Sequence, residues 1–181
     1  MATVVILNGV SSVGKTTLAK AIQQAAASDY LHLSMDGFIG MLPDGREFAN
    51  DWFTAWTIQS PDGPLAAITN GPRGAILLAA LRKTVATLAD DDFDVIVDEV
   101  CKAEDIADYR HRLANHRVHV VQVSADLADV ERRERERGDR LIGLAREQAM
   151  HLHDGIEYDQ KIDTSAASPE DCAAAVLAKI G

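Results

Sequence analysis

The chain has 181 residues, 28 of them acidic and 18 basic, for a formal net charge of −10. Affinity for nucleic acids and for anionic membranes comes largely from neutralising phosphates, so a chain this acidic is a poor ligand for either, and the expected partner is a small molecule. Two cysteines, Cys101 and Cys172, are too few for a disulfide framework; with no signal-peptide pattern before the first apolar run and no run approaching a membrane span, they read as reduced thiols of a cytosolic protein.

The length fits one domain, residues 1–181. Thr3–Leu7 is a β-branched run of the kind buried on both faces of a sheet. It leads into Gly9-Val10-Ser11-Ser12-Val13-Gly14-Lys15-Thr16-Thr17, followed by the helical pattern Leu18, Ala19, Ile22, Ala25 and Ala26. The G-x-x-x-x-G-K-[ST] spacing between strand and helix is that of a phosphate loop. Its backbone amides turn around an anion, Lys15 reaches the β- and γ-phosphates, Thr16 is placed to hold Mg²⁺, and the helix aims its positive end at the same phosphates.

A second strand is expected over Tyr30–Met35, delivering Asp36 to the carboxyl edge of the sheet, where open α/β folds bind their ligands. Asp36 could alternatively cap a short helix through Gly37, Phe38 and Ile39. Residues 40–75 hold four of the five prolines and the cluster Trp52, Phe53 and Trp56. Within them Ala55–Ile58 and Leu65–Ile68 flank Ser60-Pro61-Asp62-Gly63-Pro64 as a small hairpin. With Met35, Phe38 and Met41, the aromatic residues read either as the wall of an apolar substrate pocket or as a satellite core under a long loop. Only Arg46 and Arg73 add positive charge there, which speaks against strongly anionic substrates.

Ile76, Leu77, Ala80, Leu81, Val85 and Leu88 give an amphipathic helix from Pro72 to Leu88, ended by Asp90-Asp91-Asp92 as solvated loop. Asp94–Glu99 is a short buried strand ending in carboxylates, the Walker B form, in which Asp98 polarises a metal-bound water or completes a Mg²⁺ shell, with Glu99 the other carboxylate that could complete it; the plainer reading is the polar end of a core strand. A helix over Glu104–Ala114 and a fourth strand over Val118–Val123 follow. Between Arg132 and Arg140 stand five arginines. Glu131 with Arg135 and Glu136 with Arg140 could form a salt-laced helix face. Alternatively, residues 127–148 are a lid whose guanidinium forks close over phosphoryl groups. His151 and His153 are too few ligands for a zinc site. Tyr158–Thr164 is a fifth strand, and Ser168 with Pro169 opens a final helix. The alternation gives an α/β, doubly wound parallel sheet.

The chain resembles the chloramphenicol phosphotransferases, small P-loop kinases, over nearly its whole length. The likeness rests on Ile6–Lys15, Met35-Asp36-Gly37-Phe38-Ile39, Val97-Asp98-Glu99-Val100, and Arg137-Gly138-Asp139-Arg140 followed by Gln148, His153-Asp154-Gly155 and Glu157-Tyr158-Asp159. It implies five parallel strands, ATP with Mg²⁺ as phosphoryl donor, transfer to a primary hydroxyl, Asp36 as general base, and Arg133 and Arg137 beside the phosphates. Across residues 40–75, where the acceptor would sit on Met35, Phe38, Trp52, Phe53 and Trp56, little beyond the hairpin and Gly71-Pro72 matches. The resemblance therefore does not choose the acceptor. A kinase of a nucleotide or sugar metabolite stays open. A guanine-reading switch is disfavoured, since no asparagine precedes a lysine.

Overall fold

The computed structural model describes residues 1–49 and 51–181. In chain order it begins with β1 (Thr3–Asn8), α1 (Lys15–Ala25), β2 (Tyr30–Ser34), α2 (Met35–Ile39), β3 (Phe53–Ser60), β4 (Gly63–Asn70) and α3 (Pro72–Asp90). It continues with β5 (Asp94–Glu99), α4 (Ala103–Arg112), β6 (Arg117–Ser124), α5 (Leu127–Arg137), α6 (Leu144–Ala149), β7 (Gln160–Asp163) and α7 (Pro169–Ile180). Five strands form one parallel sheet in the order β2-β5-β1-β6-β7, and β3 with β4 forms a separate antiparallel ribbon.

Strand alternation divides the core. Val5, Leu7, Ile96, Val121 and Val123 face α1 and α7, whereas Val4, Ile6, Val95, Val97 and Val120 face α3 and α4. Every residue of β1 is buried, as a central parallel strand covered on both faces requires. The connection from β1 runs to one edge of the sheet and that from β6 to the other, so the loops at their carboxyl ends part and leave a crevice.

Several boundaries differ from the sequence expectation. β2 stops at Ser34 because the Ser34 hydroxyl accepts the Gly37 amide (3.0 Å) and starts α2, so Met35 and Asp36 are helical. The cap is thus Ser34, not Asp36. α3 includes Asp90, which pairs with His116 Nε2 at 3.0 Å, and only Asp91 and Asp92 are left to the turn. β7 begins at Gln160, since the Asp159 carboxylate accepts the Val120 amide (2.7 Å) ahead of the ladder. The ribbon is longer than its apolar runs and includes Pro64, opposite Gln59, a position a two-stranded ribbon tolerates.

The ribbon is fastened to α6 rather than to the sheet. Ala66 N–H donates to Gly143 O (3.2 Å), and Gly143, at φ 93°, lies so close to Pro64 that an added Cβ would stand 2.2 Å from the Pro64 carbonyl oxygen. No helix among the described residues is long and apolar enough to cross a membrane.

Candidate active site

The loop from Gly9 to Gly14 packs so tightly on β6 that a Cβ on Gly9 would stand 2.3 Å from Val123 O. Gly14 takes φ 105° at the start of α1, and no side chain caps that helix, so its first amides are left for an anion. Ser12 also has positive φ, at 60°, and its buried hydroxyl has no hydrogen-bond partner. Lys15 folds back, donating from Nζ to Gly9 O (2.8 Å) and Val10 O (3.0 Å). Burial lowers its pKa, opposed by the charges of Asp98 and Asp36.

Alternation sorts the two carboxylates at the end of β5. Asp98 shares the face of Ile96, towards α1, and accepts the Thr16 hydroxyl at 2.6 Å. Burial alone would raise its carboxyl; His32, 3.7 Å away, with Lys15 and Thr16, holds it below the ordinary range. Glu99 points the opposite way and receives Arg82 Nη1 (2.8 Å) and the Tyr109 hydroxyl (2.7 Å). Burial pushes its carboxyl up to about 7, against Tyr109 and Arg82. Arg82 is also claimed by Asp105 and Asp108, each at 3.1 Å. Only Asp98 therefore joins Thr16, and these hard oxygen donors suit Mg²⁺, whose remaining positions would fall to phosphate and water. Among the described residues no group of three His, Cys, Asp or Glu side chains is placed to hold a metal ion by itself.

A single cleft of ≈ 1760 Å³ runs from the α7 end, past the phosphate loop, to the ribbon. A one-ligand pocket is roughly 300–1,000 Å³, so this cleft has room for two substrates. It brings together Lys15, Thr16, Asp36, Asp98, Arg133 and Arg137 with Met35, Phe53 and Trp56. Three expected wall residues lie elsewhere. Phe38 packs on the α3–α4 core, Met41 is exposed outside the cleft, and Trp52 sits on α3 with the Arg73 guanidinium 5.5 Å above its ring. Ile39, Phe48 and Ile68 line the cleft instead.

The ion pairs of the arginine block differ from those the spacing suggests. Glu131 pairs with Arg146 (2.5 Å) and Glu136 with Arg132 (3.2 Å), not with Arg135 and Arg140. Arg133 reaches the phosphate loop, donating to Val13 O (3.2 Å), Thr164 Oγ1 (3.2 Å) and Thr164 O (3.1 Å). Arg137 is exposed beside Asp139. Arg140, expected as a partner for Glu136, instead forms a two-pronged ion pair with Asp36.

Four further residues, Gln148, Asn8, Tyr158 and Glu134, make contacts that the sequence did not assign. Gln148 Oε1 accepts the Ser11 amide at 2.7 Å. Asn8 donates to Cys101 O (3.0 Å) and Tyr158 Oη (2.8 Å), and Tyr158, pushed up to about 12 by burial, lies 2.6 Å from His153 Nδ1. Glu134 is buried and accepts the amides of Gly143 (2.7 Å) and Ala145 (2.9 Å), tying α5 to the start of α6. A readable signal existed, for Glu134 follows the buried Val130 by four residues on the inward helix face. Glu134→Ala leaves two buried amides unpaired, a cost of about 3 kcal/mol. We expect hydrogen exchange at Gly143 and Ala145 to accelerate about 100-fold, with the sheet amides unchanged.

Comparison with known proteins places these features in context. The family model described as chloramphenicol phosphotransferase-like protein matches residues 2–181. A Mycobacterium tuberculosis H37Rv protein named as an O-phosphotransferase is 31% identical over 175 residues, covering 93% of this chain and 78% of that one. Among solved structures, the M. tuberculosis APS kinase CysC, in complex with AMPPNP and APS, aligns with a TM-score of 0.67 at 18% identity, over 99% of this chain and 97% of its own. The Deinococcus radiodurans tunicamycin resistance protein aligns at 0.66 and 15% identity, over 100% and 96%.

Proposed function

The chain belongs to the chloramphenicol phosphotransferase-like family, and from that premise we propose that it transfers the γ-phosphate of ATP to a hydroxyl of a small, uncharged, partly apolar molecule. It is a small-molecule O-phosphotransferase on a P-loop kinase fold. The observation that carries the donor and acceptor assignment is the continuity of the cleft, from the phosphate loop past Asp36 to the Met35–Phe53–Trp56 wall.

In this reading the amides of Gly9–Thr17 and the Lys15 ammonium hold the triphosphate, and Arg133 and Arg137 close on it from a lid formed by α5 and α6. Thr16 and Asp98 would hold Mg²⁺, which supplies charge neutralisation at the phosphate oxygens. Asp36 orients the acceptor hydroxyl and takes its proton as the oxygen meets the phosphorus. The nucleoside lies at the other end, against Thr164, Ala167 and Pro169.

An anionic metabolite as acceptor finds little support. Arg82, the buried cation on that side, already serves Glu99, Asp105 and Asp108, and Arg73 lies outside the cleft on Trp52. The test is ADP release with Mg²⁺ across chloramphenicol, other hydroxylated antibiotics, nucleosides, neutral sugars and their phosphorylated or carboxylated counterparts. Turnover is expected with an uncharged alcohol. Preference for the anionic counterparts would overturn the acceptor class.

A further inference from the structure

Asp36, on α2, and Arg140, between α5 and α6, are 104 residues apart, yet Nη1 approaches Oδ1 to 3.3 Å while Nη2 donates to Oδ2. Both carboxylate oxygens are therefore engaged. The pair is accessible without being fully solvated, with 22% of the Arg140 and 48% of the Asp36 side chain exposed. Arg140 Nε turns towards Asp139 Oδ1, 3.8 Å away. Asp36 and Arg140 line the same cleft as Lys15 and the phosphate loop. The proton acceptor of the reaction is thus covered by a cation from the opposite wall of the cleft.

Any kinase must keep water from taking the place of the acceptor hydroxyl. On the phosphotransferase reading above, we propose that Arg140 is a positioning residue that masks Asp36 until an acceptor parts the pair, and so suppresses hydrolysis of bound ATP. In that hydrolysis the water oxygen bonds to the γ-phosphorus, the bond to the departing ADP oxygen breaks, and the water proton passes to Asp36 before release to solvent. Water is too small to separate α2 from the Arg140 segment. An acceptor lying on the Met35–Phe53–Trp56 wall fills that gap and brings its own hydroxyl to the freed carboxylate. The planar fork suits the mask because it covers two oxygens at once, and a partly exposed pair is weak enough for a ligand to open.

The test needs no knowledge of the acceptor. ADP release from ATP and Mg²⁺ is measured with acceptor omitted, for wild type, Arg140→Gln, Arg140→Lys and the double variant Arg140→Gln/Asp36→Asn. Arg140→Gln is expected to release ADP about tenfold faster than wild type, ~1.4 kcal/mol off the barrier. Arg140→Lys, which keeps the charge but not the fork, should rise less, and the double variant should lose the increase. A rate in Arg140→Gln at or below wild type overturns the proposal, as does an increase that persists without the Asp36 carboxylate. If Arg140→Gln does not fold, Arg140→Lys carries the same test, and an unchanged rate there overturns it. Titration of the wild type with a non-hydrolysable ATP analogue separates the two failures. Absence of binding removes the phosphotransferase reading and the mask together, whereas binding with no Arg140 effect removes the mask alone.

Discussion

Lys15→Ala is expected to abolish phosphoryl transfer in a protein that remains folded. The ammonium is buried and held by Gly9 O and Val10 O, and it stands among the amides that would cradle the phosphates. Charge that develops on transferring phosphate in a dry site depends on preorganised cations, and loss of one such group costs about 10²–10³-fold or more. Here the missing charge also serves binding, so transfer should fall below detection. The variant leaves two loop carbonyls short of a donor, a cost of about 1–3 kcal/mol, small enough for the sheet to persist. The check pairs transfer rate with the thermal midpoint. Wild-type turnover in a folded Lys15→Ala protein would falsify the assignment of the phosphate loop.

Asp36→Asn is expected to lower transfer by about 10²–10⁴-fold while ATP affinity changes little. The substitution keeps shape and one acceptor oxygen but removes the carboxylate we propose takes the hydroxyl proton. Ser34, not Asp36, caps α2, so the short helix survives the change. A single-turnover transfer assay, run beside an ATP titration, distinguishes the possibilities. Lost ATP binding would make Asp36 part of the donor site, and full transfer activity would leave it only a partner for Arg140.

The sheet and the phosphate loop were legible because their signals are local. β1 is an unbroken apolar run and the loop has a fixed spacing, whereas which of Asp98 and Glu99 meets Thr16 is decided only by their packing in the folded chain. The opposite wall of the cleft was not legible, because its contacts join residues far apart in the chain. Arg140 meets Asp36 only once α5 has been turned back by Gly138, at φ 70°, and α6 fixed by Glu134. Glu134 itself looked like one more charge on a solvated face, since local pairing rules count carboxylates without knowing which side of the helix is covered. Phe38 and Trp52 were misjudged for a similar reason. Composition gathers aromatic residues into one stretch, but helix and ribbon geometry sends them to separate sides, Trp52 to α3 and Trp56 to the cleft.

The seam at Gly143 bears on how such an enzyme can change. Because β3 and β4 hydrogen-bond to each other and not to the parallel sheet, their side chains can be exchanged without disturbing the strands that carry the phosphate loop. The ribbon itself cannot drift, for Ala66 is tied to Gly143 and any larger residue at Gly143 meets Pro64. If the ribbon walls the acceptor, as proposed, diversification of the molecules accepted is channelled into substitutions on a scaffold of fixed position. A ribbon face carrying Trp56 can be rewritten residue by residue while the donor half of the machine stays as it is.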